Sequence, residues 1–272
     1  DRRQRQMCIR DRFNIKEEYA KNIITLLDDG NTIPFIARYR KEMHGSMDDQ
    51  LIREFAEKLE YLRGLDKRRD EIRSLIDAQE KLTDEINLAL DKAATLSELE
   101  DIYRPYRPKK KTRASIAKEK GLEPLANDIL KQEKGFDPSK SAVDYIDEEK
   151  GVTSVEDAIQ GAMDIIAELV SDNAEIRKRI RNLTNANGVL VSVATDEEKD
   201  SVYKNYYDYK EPVKKIAGHR VLAVNRGEKE GFLKVSVETD SEKPLNSIFR
   251  AMITDKNQLC SDIIREACTD AY

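Results

Sequence analysis

An apolar stripe at helical spacing along residues 51–76 constrains the fold of this chain more than any other feature. Apolar side chains recur there every three or four residues, so they share one face of a helix of about seven turns. The members are Leu51, Ile52, Phe55, Leu59, Leu62, Leu65, Ile72, Leu75 and Ile76. A stripe of this kind is more often the seam of a helical bundle than a cofactor groove. The sequence therefore predicts a mainly α fold.

The same spacing predicts helices elsewhere in the chain. They are expected over residues 15–27, 84–93, 97–103 and 257–272, with a second long helix over 154–183. Ser46, followed by Asp49 three residues later, resembles a capping box at the start of the first long helix. The fold class predicted is a multi-helix bundle with long helices.

The period changes in the C-terminal third of the chain. Val189, Val191 and Val193 recur at every second position after Asn187-Gly188, and Leu233, Val235 and Val237 alternate with Lys234, Ser236 and Glu238. Alternation with a period of two is typical of strands, so a small β element is predicted here. The segment 221–225 fits either a third strand or a short helix.

Composition excludes several classes of protein. The chain has 272 residues, which is enough for two or more packing units, and 37% of them are charged. No run of 18 apolar residues occurs, so no membrane span is expected. Three scattered cysteines do not form a disulfide framework, and this favours a cytoplasmic location.

The sequence contains no pattern that predicts catalysis. His44 and His219 are the only histidines, and neither phosphate-binding loops nor paired cysteine motifs occur. The acidic residues are spread along helix faces, where they suit lysine and arginine partners. We therefore expect no catalytic residue, no metal site, no cofactor and no enzyme activity.

Residues 104–113 form a segment, hereafter the basic segment, that carries six cations and no acid. The whole chain has a formal net charge of −5, so this segment differs sharply from its surroundings. Pro105 and Pro108 exclude a regular helix and favour a stiff, extended backbone. Concentrated positive charge on a rigid loop suits a polyphosphate backbone, although a solvated charge run is an equally good explanation.

Two short helices are predicted directly after the basic segment. They cover residues 114–120 and 123–132 with Gly121 between them, which is helix-turn-helix spacing. The second helix carries Glu123 and Asp128 and only Lys131 as a base, so phosphate positioning is more credible than base readout. A purely structural helical hairpin is the alternative.

Three long segments carry a resemblance to a known family. They are NTIPFIARYRKE (31–42), ELEDIYRPYRPKKKTRA (98–114) and AKEKGLEPLA (117–126), with shorter matches at 219–220, 226–231 and 267–272. They resemble the N-terminal region of the Tex family of bacterial transcription accessory proteins. The resemblance covers roughly residues 13–272 and omits 1–12, which reads as a disordered or foreign leader.

The resemblance implies a cytoplasmic, transcription-associated protein that binds nucleic acid. It also implies a helical N-terminal region with a helix-turn-helix-like module over 13–135, and a long helix with a small α/β region over 136–272. A ribonuclease-H-like YqgF domain, helix-hairpin-helix repeats and an S1 domain would follow in a full-length member. We expect the chain to be cut at both ends and to stop before the YqgF domain.

Two functional hypotheses follow. In the first, the chain binds RNA or DNA without strong sequence specificity. The expected contacts are Arg104, Arg107, Lys109, Lys110, Lys111 and Arg113, with Arg38, Arg40 and Lys41 as a second patch. In the second, the chain is a scaffold that braces downstream domains or docks on transcription machinery, and the basic segment pairs with its own acidic surface. The tyrosines at 203, 206, 207 and 209 could stack bases, but packing against the sheet is the more ordinary role.

Overall fold

The computed structural model describes residues 13, 15–108, 111–254 and 256–272. It is 66% helical with a small three-stranded antiparallel sheet, which confirms the predicted fold class. The chain divides into two compact units after Tyr106. The leader at 1–12 lies outside the described residues, and the predicted domain boundary at 135 stays a prediction.

In the described part of the N-terminal unit, all regular secondary structure is helical. Its helices are α1 (Glu17–Asp28), α2 (Ile33–Tyr39), α3 (Lys41–His44), α4 (Asp49–Asp77), α5 (Asp84–Lys92) and α6 (Leu96–Tyr103), followed by a 3₁₀ turn (Arg104–Tyr106). The predicted helices over 15–27, 84–93 and 97–103 are confirmed.

The N-cap of the long helix α4 lies two residues after the predicted cap, Ser46. Asp48 is the N-cap and its carboxylate accepts a hydrogen bond from the Leu51 N–H at 2.8 Å. The capping box at Ser46 was therefore wrong. Ser46 has a φ of 63°, whereas an N-cap needs the extended backbone that Asp48 adopts.

Two separate hydrophobic cores share α4. Its first half packs Ile52, Phe55 and Leu59 against α1 and α2, and its second half packs residues 65–76 against α5 and α6. Leu62 touches both cores. Gly64 lies just beyond this junction, and a Cβ added there would meet nothing within 4 Å. Packing therefore does not explain this glycine.

The C-terminal unit combines helices with the sheet. Its helices are α7 (Arg113–Glu119), α8 (Glu123–Lys131), α9 (Pro138–Ala142), α10 (Val155–Asp172), α11 (Ala174–Asn187), α12 (Gly218–Lys229), α13 (Glu242–Met252) and α14 (Gln258–Ala271). The strands are β1 (Val189–Ala194), β2 (Asp208–Pro212) and β3 (Leu233–Glu238), with 3₁₀ turns at Val143–Tyr145 and Lys204–Tyr206.

Helix α10 is the centre of this unit. It packs against α7, α8, α9, α11 and α14, and its side chains from Ala158 to Val170 form the largest part of the buried core. The prediction of one continuous helix over 154–183 was wrong. The chain leaves the helix at Asn173, whose side chain accepts from the N–H groups of Glu175 and Ile176 and so caps α11.

The sheet has the order β2-β1-β3, with both pairs antiparallel. The two predicted strands are confirmed, while the segment 221–225 is part of helix α12 and β2 was not predicted. Helix α12 lies close to β3 because Gly227 has no side chain. A Cβ there would stand 2.9 Å from Leu233 Cγ and 3.0 Å from Tyr203 Cγ.

A polar tie closes the C-terminal unit. Gln132, which adopts a left-handed backbone, donates to the Met252 carbonyl at 2.9 Å and accepts from Thr254. Asn257 donates to the carbonyls of Glu133 and Phe136 at 2.8 Å each. These bonds fix the loop before α14 to the loop after α8. Across the described part of the chain, no helix is long and apolar enough to span a bilayer.

Two glycine variants test the backbone argument for α4. We expect Gly64→Ala to stabilise the N-terminal unit by about 1 kcal/mol, because alanine is the better helix former and the added methyl meets nothing. Gly30→Ala is the matched control. It also adds a methyl to empty space, but at a φ of 80° after α1, so it should destabilise by about 1 kcal/mol. Urea unfolding followed by circular dichroism measures both, and a less stable Gly64→Ala protein would show that α4 needs this glycine for another reason.

Candidate nucleic-acid interface

A cluster of cations and aromatic rings, hereafter the Arg38 cluster, lies at the junction of α2 and α3. It consists of Phe35, Arg38, Tyr39, Arg40 and Lys41. The Thr32 side chain caps α2 and Pro34 occupies its first turn, so the short helix is well defined at its start. Its far end breaks at Arg40, where α3 begins.

Ring contacts organise the Arg38 cluster. Phe35 and Tyr39 lie one helical turn apart and their ring centroids are 5.3 Å from each other. The Arg40 guanidinium lies 5.5 Å from the Phe35 ring centroid, which is cation–π distance. These contacts hold Arg40 and Tyr39 at the surface without an acidic partner.

The cations of the Arg38 cluster are available to a ligand. Arg38, Arg40 and Lys41 are exposed and, among the residues that the structure describes, none of them forms an ion pair. Tyr39 is 65% exposed. A phosphate can therefore meet unpaired cations beside an aromatic face on which a base can stack. The three cations were predicted from the sequence and Tyr39 was not, although its spacing of four residues from Phe35 places both rings on one side of the helix.

The basic segment does not begin as an extended rod. Residues 104–106 continue α6 as a 3₁₀ turn, and the Tyr106 carbonyl accepts a hydrogen bond from Gln79 at 2.9 Å. The prediction of extended backbone was wrong here, because the φ that proline imposes at position 105 also suits a 3₁₀ helix. Arg104 and Arg107 each have an interaction partner. Lys109 and Lys110 lie outside the described residues.

The far end of the basic segment is paired with acids of its own unit. The Nζ atom of Lys111 lies 3.2 Å from the Oε2 atom of Glu119. Arg113 bonds to Asp270 at 2.5 Å and lies 3.6 Å from Asp164 of α10, and these carboxylates raise the pKa of the guanidinium, with the Asp270 bond as the main cause. Arg113 thus ties the first turn of α7 to α10 and to the end of α14.

The neighbouring threonine strengthens this tie. Thr112 caps α7 in a reciprocal arrangement with Ser115, and its hydroxyl donates to Glu168 of α10 at 2.9 Å. Lys118 lies 3.7 Å from the same carboxylate. The acidic side of α10 therefore neutralises this end of the basic segment, as the scaffold hypothesis requires.

The two helices of the predicted hairpin are present as α7 and α8. Both bury their apolar faces against α10, and Gly121 makes the turn at a φ of 84°. The exposed side of α8 carries Glu123, Asn127 and Lys131, and Lys131 is held by Asp128 at 2.7 Å. This side has no unpaired lysine or arginine, so α8 is poorly suited to reading guanine edges.

The tyrosines near the sheet are packing residues. Tyr203 is buried and its ring lies 5.9 Å from that of Phe232. The Tyr207 hydroxyl donates to the Lys199 carbonyl, and Tyr209 bonds to Glu211. Desolvation is the main cause that raises the pKa of Tyr203 and of Tyr209. The structure favours packing over base stacking for this group.

The remaining reactive side chains are buried in the cores. The ring Nε2 of His44 donates to the Ile36 carbonyl at 3.0 Å, in the interior of the N-terminal unit. Cys260 and Cys268 are buried free thiols, and burial raises the pKa of Cys268 to about 11. Within the described ranges, no group of three or more histidine, cysteine or acidic side chains could hold a metal ion.

Comparison with known proteins gives two matching family models. One, described as Tex central region-like, matches residues 133–270, and the other, described as Tex-like protein N-terminal domain, matches residues 4–77. The first covers about half of the chain and the second includes the Arg38 cluster.

Individual relatives give the same result. Uncharacterized protein YdcI of Bacillus subtilis is 42% identical over 263 residues, which cover 96% of this chain and 37% of the relative. Transcriptional accessory protein Tex of Neisseria gonorrhoeae is 40% identical over 217 residues, covering 79% of this chain and 28% of the relative. S1 RNA-binding domain-containing protein 1 of Homo sapiens is 31% identical over 238 residues, which cover 84% of this chain and 23% of the relative. The chain thus spans less than two fifths of the length of each.

Arg113→Gln tests the structural role of the paired end of the basic segment. We expect it to lower the unfolding temperature by about 1 to 3 °C at low salt, because the variant loses two carboxylate partners. The loss should shrink in 0.5 M NaCl, since the pair is exposed and salt screens it. Lys140→Gln is the control, because Lys140 pairs only within its own short helix. Equal unfolding temperatures for Arg113→Gln and the unmodified chain at low salt would contradict the tie.

Proposed function

The chain belongs to the Tex family, and we propose that it makes sequence-indifferent contacts to RNA or DNA within a transcription accessory protein. The observation that carries this proposal is the Arg38 cluster, in which exposed, unpaired cations surround an exposed tyrosine. The names of two relatives, a transcriptional accessory protein and an S1 RNA-binding domain-containing protein, support the ligand class.

The Arg38 cluster would bind in two ways at once. Arg38, Arg40 and Lys41 would replace counterions on the phosphates, which gives affinity that falls steeply with salt. Tyr39 would stack on a base, which is indifferent to sequence because every base has a π face. Neither contact reads the edges of nucleobases. Helix α8 likewise offers no unpaired lysine or arginine that could read them.

The basic segment is a second contact region in this proposal. Its cations are Arg104, Arg107, Lys109, Lys110, Lys111 and Arg113. Lys111 and Arg113 already have carboxylate partners, so a phosphate gains less from them than from an unpaired cation. We propose that Arg113 mainly positions the segment and that its other cations meet the ligand.

A scaffold function is the second candidate. The specific observation that favours it is the set of bonds from Thr112, Arg113 and Lys118 to the acidic side of α10 and to α14. In this role the segment would stabilise the unit and present other surfaces to transcription machinery. We propose no enzymatic activity for the chain in either role, and a cytoplasmic location, in which free thiols such as Cys260 and Cys268 persist.

Neutralising the Arg38 cluster tests the proposed function. We expect Arg38→Gln/Arg40→Gln/Lys41→Gln to weaken binding of a labelled 20-nucleotide RNA and to reduce the slope of log Kd against log salt by about 2, the value for three lost contacts to a single strand. Fluorescence anisotropy between 25 and 300 mM KCl measures both. Tyr39→Ala should weaken binding about fivefold or more without changing the slope, because stacking releases no counterions.

The matched control removes three paired cations from the same unit. Lys21→Gln/Arg53→Gln/Arg63→Gln changes the net charge equally, but each of these side chains already has an acidic partner. Its slope should stay near that of the unmodified chain. The same slope for both triple variants would remove the Arg38 cluster from the interface.

A separate variant decides between the two roles of the basic segment. Arg107→Gln/Lys109→Gln/Lys110→Gln/Lys111→Gln should flatten the salt dependence if the segment contacts phosphate. The measurement is the same RNA titration, paired with thermal unfolding of each protein. An unchanged slope together with a lower unfolding temperature would support the scaffold role instead.

A further inference from the structure

The helix α12 and the turn before it form another cationic region, distinct from the Arg38 cluster and the basic segment. Residues 210–229 contain six lysines and arginines and only two acids, within a chain of net charge −5. Residues 219–220 and 226–231 carry family matches, but their sequence does not predict a cationic surface, because the cations are separated by other residues and never form a run.

Packing decides which side of α12 faces solvent. Val224 and Gly227 are buried on the side towards β3. Arg220, on the same side, forms an ion pair with Glu211 of β2 at 3.2 Å. The opposite side therefore points outward.

The outward side is a stripe, hereafter the α12 stripe, of His219, Leu222, Arg226 and Lys229. These residues lie three or four positions apart and all are exposed, with Leu222 70% exposed. The stripe extends over about 15 Å along the helix axis, a length that corresponds to about four phosphates of one strand. Lys214 and Lys215 are exposed in the turn that leads into it.

These cations have no acidic partners in the part of the chain that the structure describes. Neither Lys214 and Lys215 nor Arg226 and Lys229 form an ion pair there. Glu230 lies four positions after Arg226 and accepts a hydrogen bond from the Tyr203 hydroxyl, which Arg226 also influences electrostatically. Glu228 lies away from the stripe, about 140° from its centre at 100° per residue. Lys214, Lys215 and Lys229 therefore carry charge that no ion pair offsets, whereas Glu230 offsets part of the charge of Arg226.

We propose that the α12 stripe, with Lys214 and Lys215, is a further binding site for the phosphate backbone of a nucleic-acid strand. This inference rests on the proposed function and extends it to the C-terminal unit. Arg226 and Lys229 on the outward side of a rigid helix, with Lys214 and Lys215 in the turn before it, form a local concentration of positive charge that attracts a polyanion. Leu222, in the middle, supplies apolar surface for a sugar or a base.

An acidic segment of another protein is the competing occupant, since an exposed leucine also suits a protein partner. The phosphate backbone is favoured because cations outnumber the single apolar anchor. Protein interfaces, in contrast, concentrate aromatic and other apolar residues at their centre. Unchanged RNA binding by a variant that lacks these cations is the outcome that would assign the stripe to the protein segment.

The experiment compares two variants of the full chain that lose the same charge. Lys214→Gln/Lys215→Gln/Arg226→Gln/Lys229→Gln removes the unpaired cations of the α12 site. The control, Lys131→Gln/Lys140→Gln/Lys150→Gln/Lys199→Gln, removes four exposed lysines of the same unit that each pair with a nearby aspartate. A labelled 20-nucleotide RNA is titrated by fluorescence anisotropy over a range of salt, and thermal unfolding verifies that each variant is folded.

We expect the α12 variant to bind at least tenfold more weakly at 50 mM KCl, with a salt slope smaller by up to about 3. The control should change Kd less than twofold. A variant that carries arginine in place of Lys214, Lys215 and Lys229 and retains Arg226 should show the original slope, because arginine keeps the charge.

Two results would overturn the inference and they are distinguishable. If the α12 variant and the control bind RNA as the unmodified chain does, while the Arg38 cluster variant binds weakly, the proposed function stands and the α12 site fails. The stripe would then be assigned to an acidic protein segment. If the unmodified chain binds no RNA even at 25 mM KCl, the proposed function and the α12 site fail together.

Discussion

The burial of α10 is the constraint on which the C-terminal unit depends. Helices α7, α8, α9, α11 and α14 all pack on it, and small side chains on one of its sides allow the hairpin to approach closely. Gly161 shows how tight this contact is, because a Cβ there would overlap the Leu122 side chain. Larger side chains in place of the small residues of α10 would push the α7–α8 hairpin away and separate Arg113 from its carboxylate partners.

The same helix determines which cations of the basic segment remain available. Asp164 pairs with Arg113, and Glu168 binds Thr112 and Lys118 of the hairpin. In the described part of the chain, the cations of the Arg38 cluster have no such acidic partners. Two runs with similar composition therefore have different electrostatic roles. A guanidinium that is already paired gains little from a phosphate, because one exposed ion pair replaces another.

Local patterns predicted most of the fold and little of the site. The periods of 3.6 and 2 identified most of the longer helices and two strands, because burial of one face imposes them, but they missed α2, α3, α9 and α13. They could not reveal the break at Asn173, where a side-chain cap competes with helix continuation, or the 3₁₀ turn at Pro105. The pairing of Arg113 with Asp270 joins residues 157 positions apart, and only the tertiary structure brings them together.

Charge density along the sequence is consequently a poor guide to a phosphate-binding surface. The densest run, in the basic segment, loses part of its charge to α10 and α14. The α12 stripe is dilute in sequence, yet the helix concentrates it because the period of 3.6 aligns residues that the sequence separates. Exposure together with the absence of an acidic partner is the better criterion, since only uncompensated charge attracts counterions that a nucleic acid can replace. By this criterion the Arg38 cluster and the α12 stripe rank above the basic segment, and each unit of the chain offers one such surface.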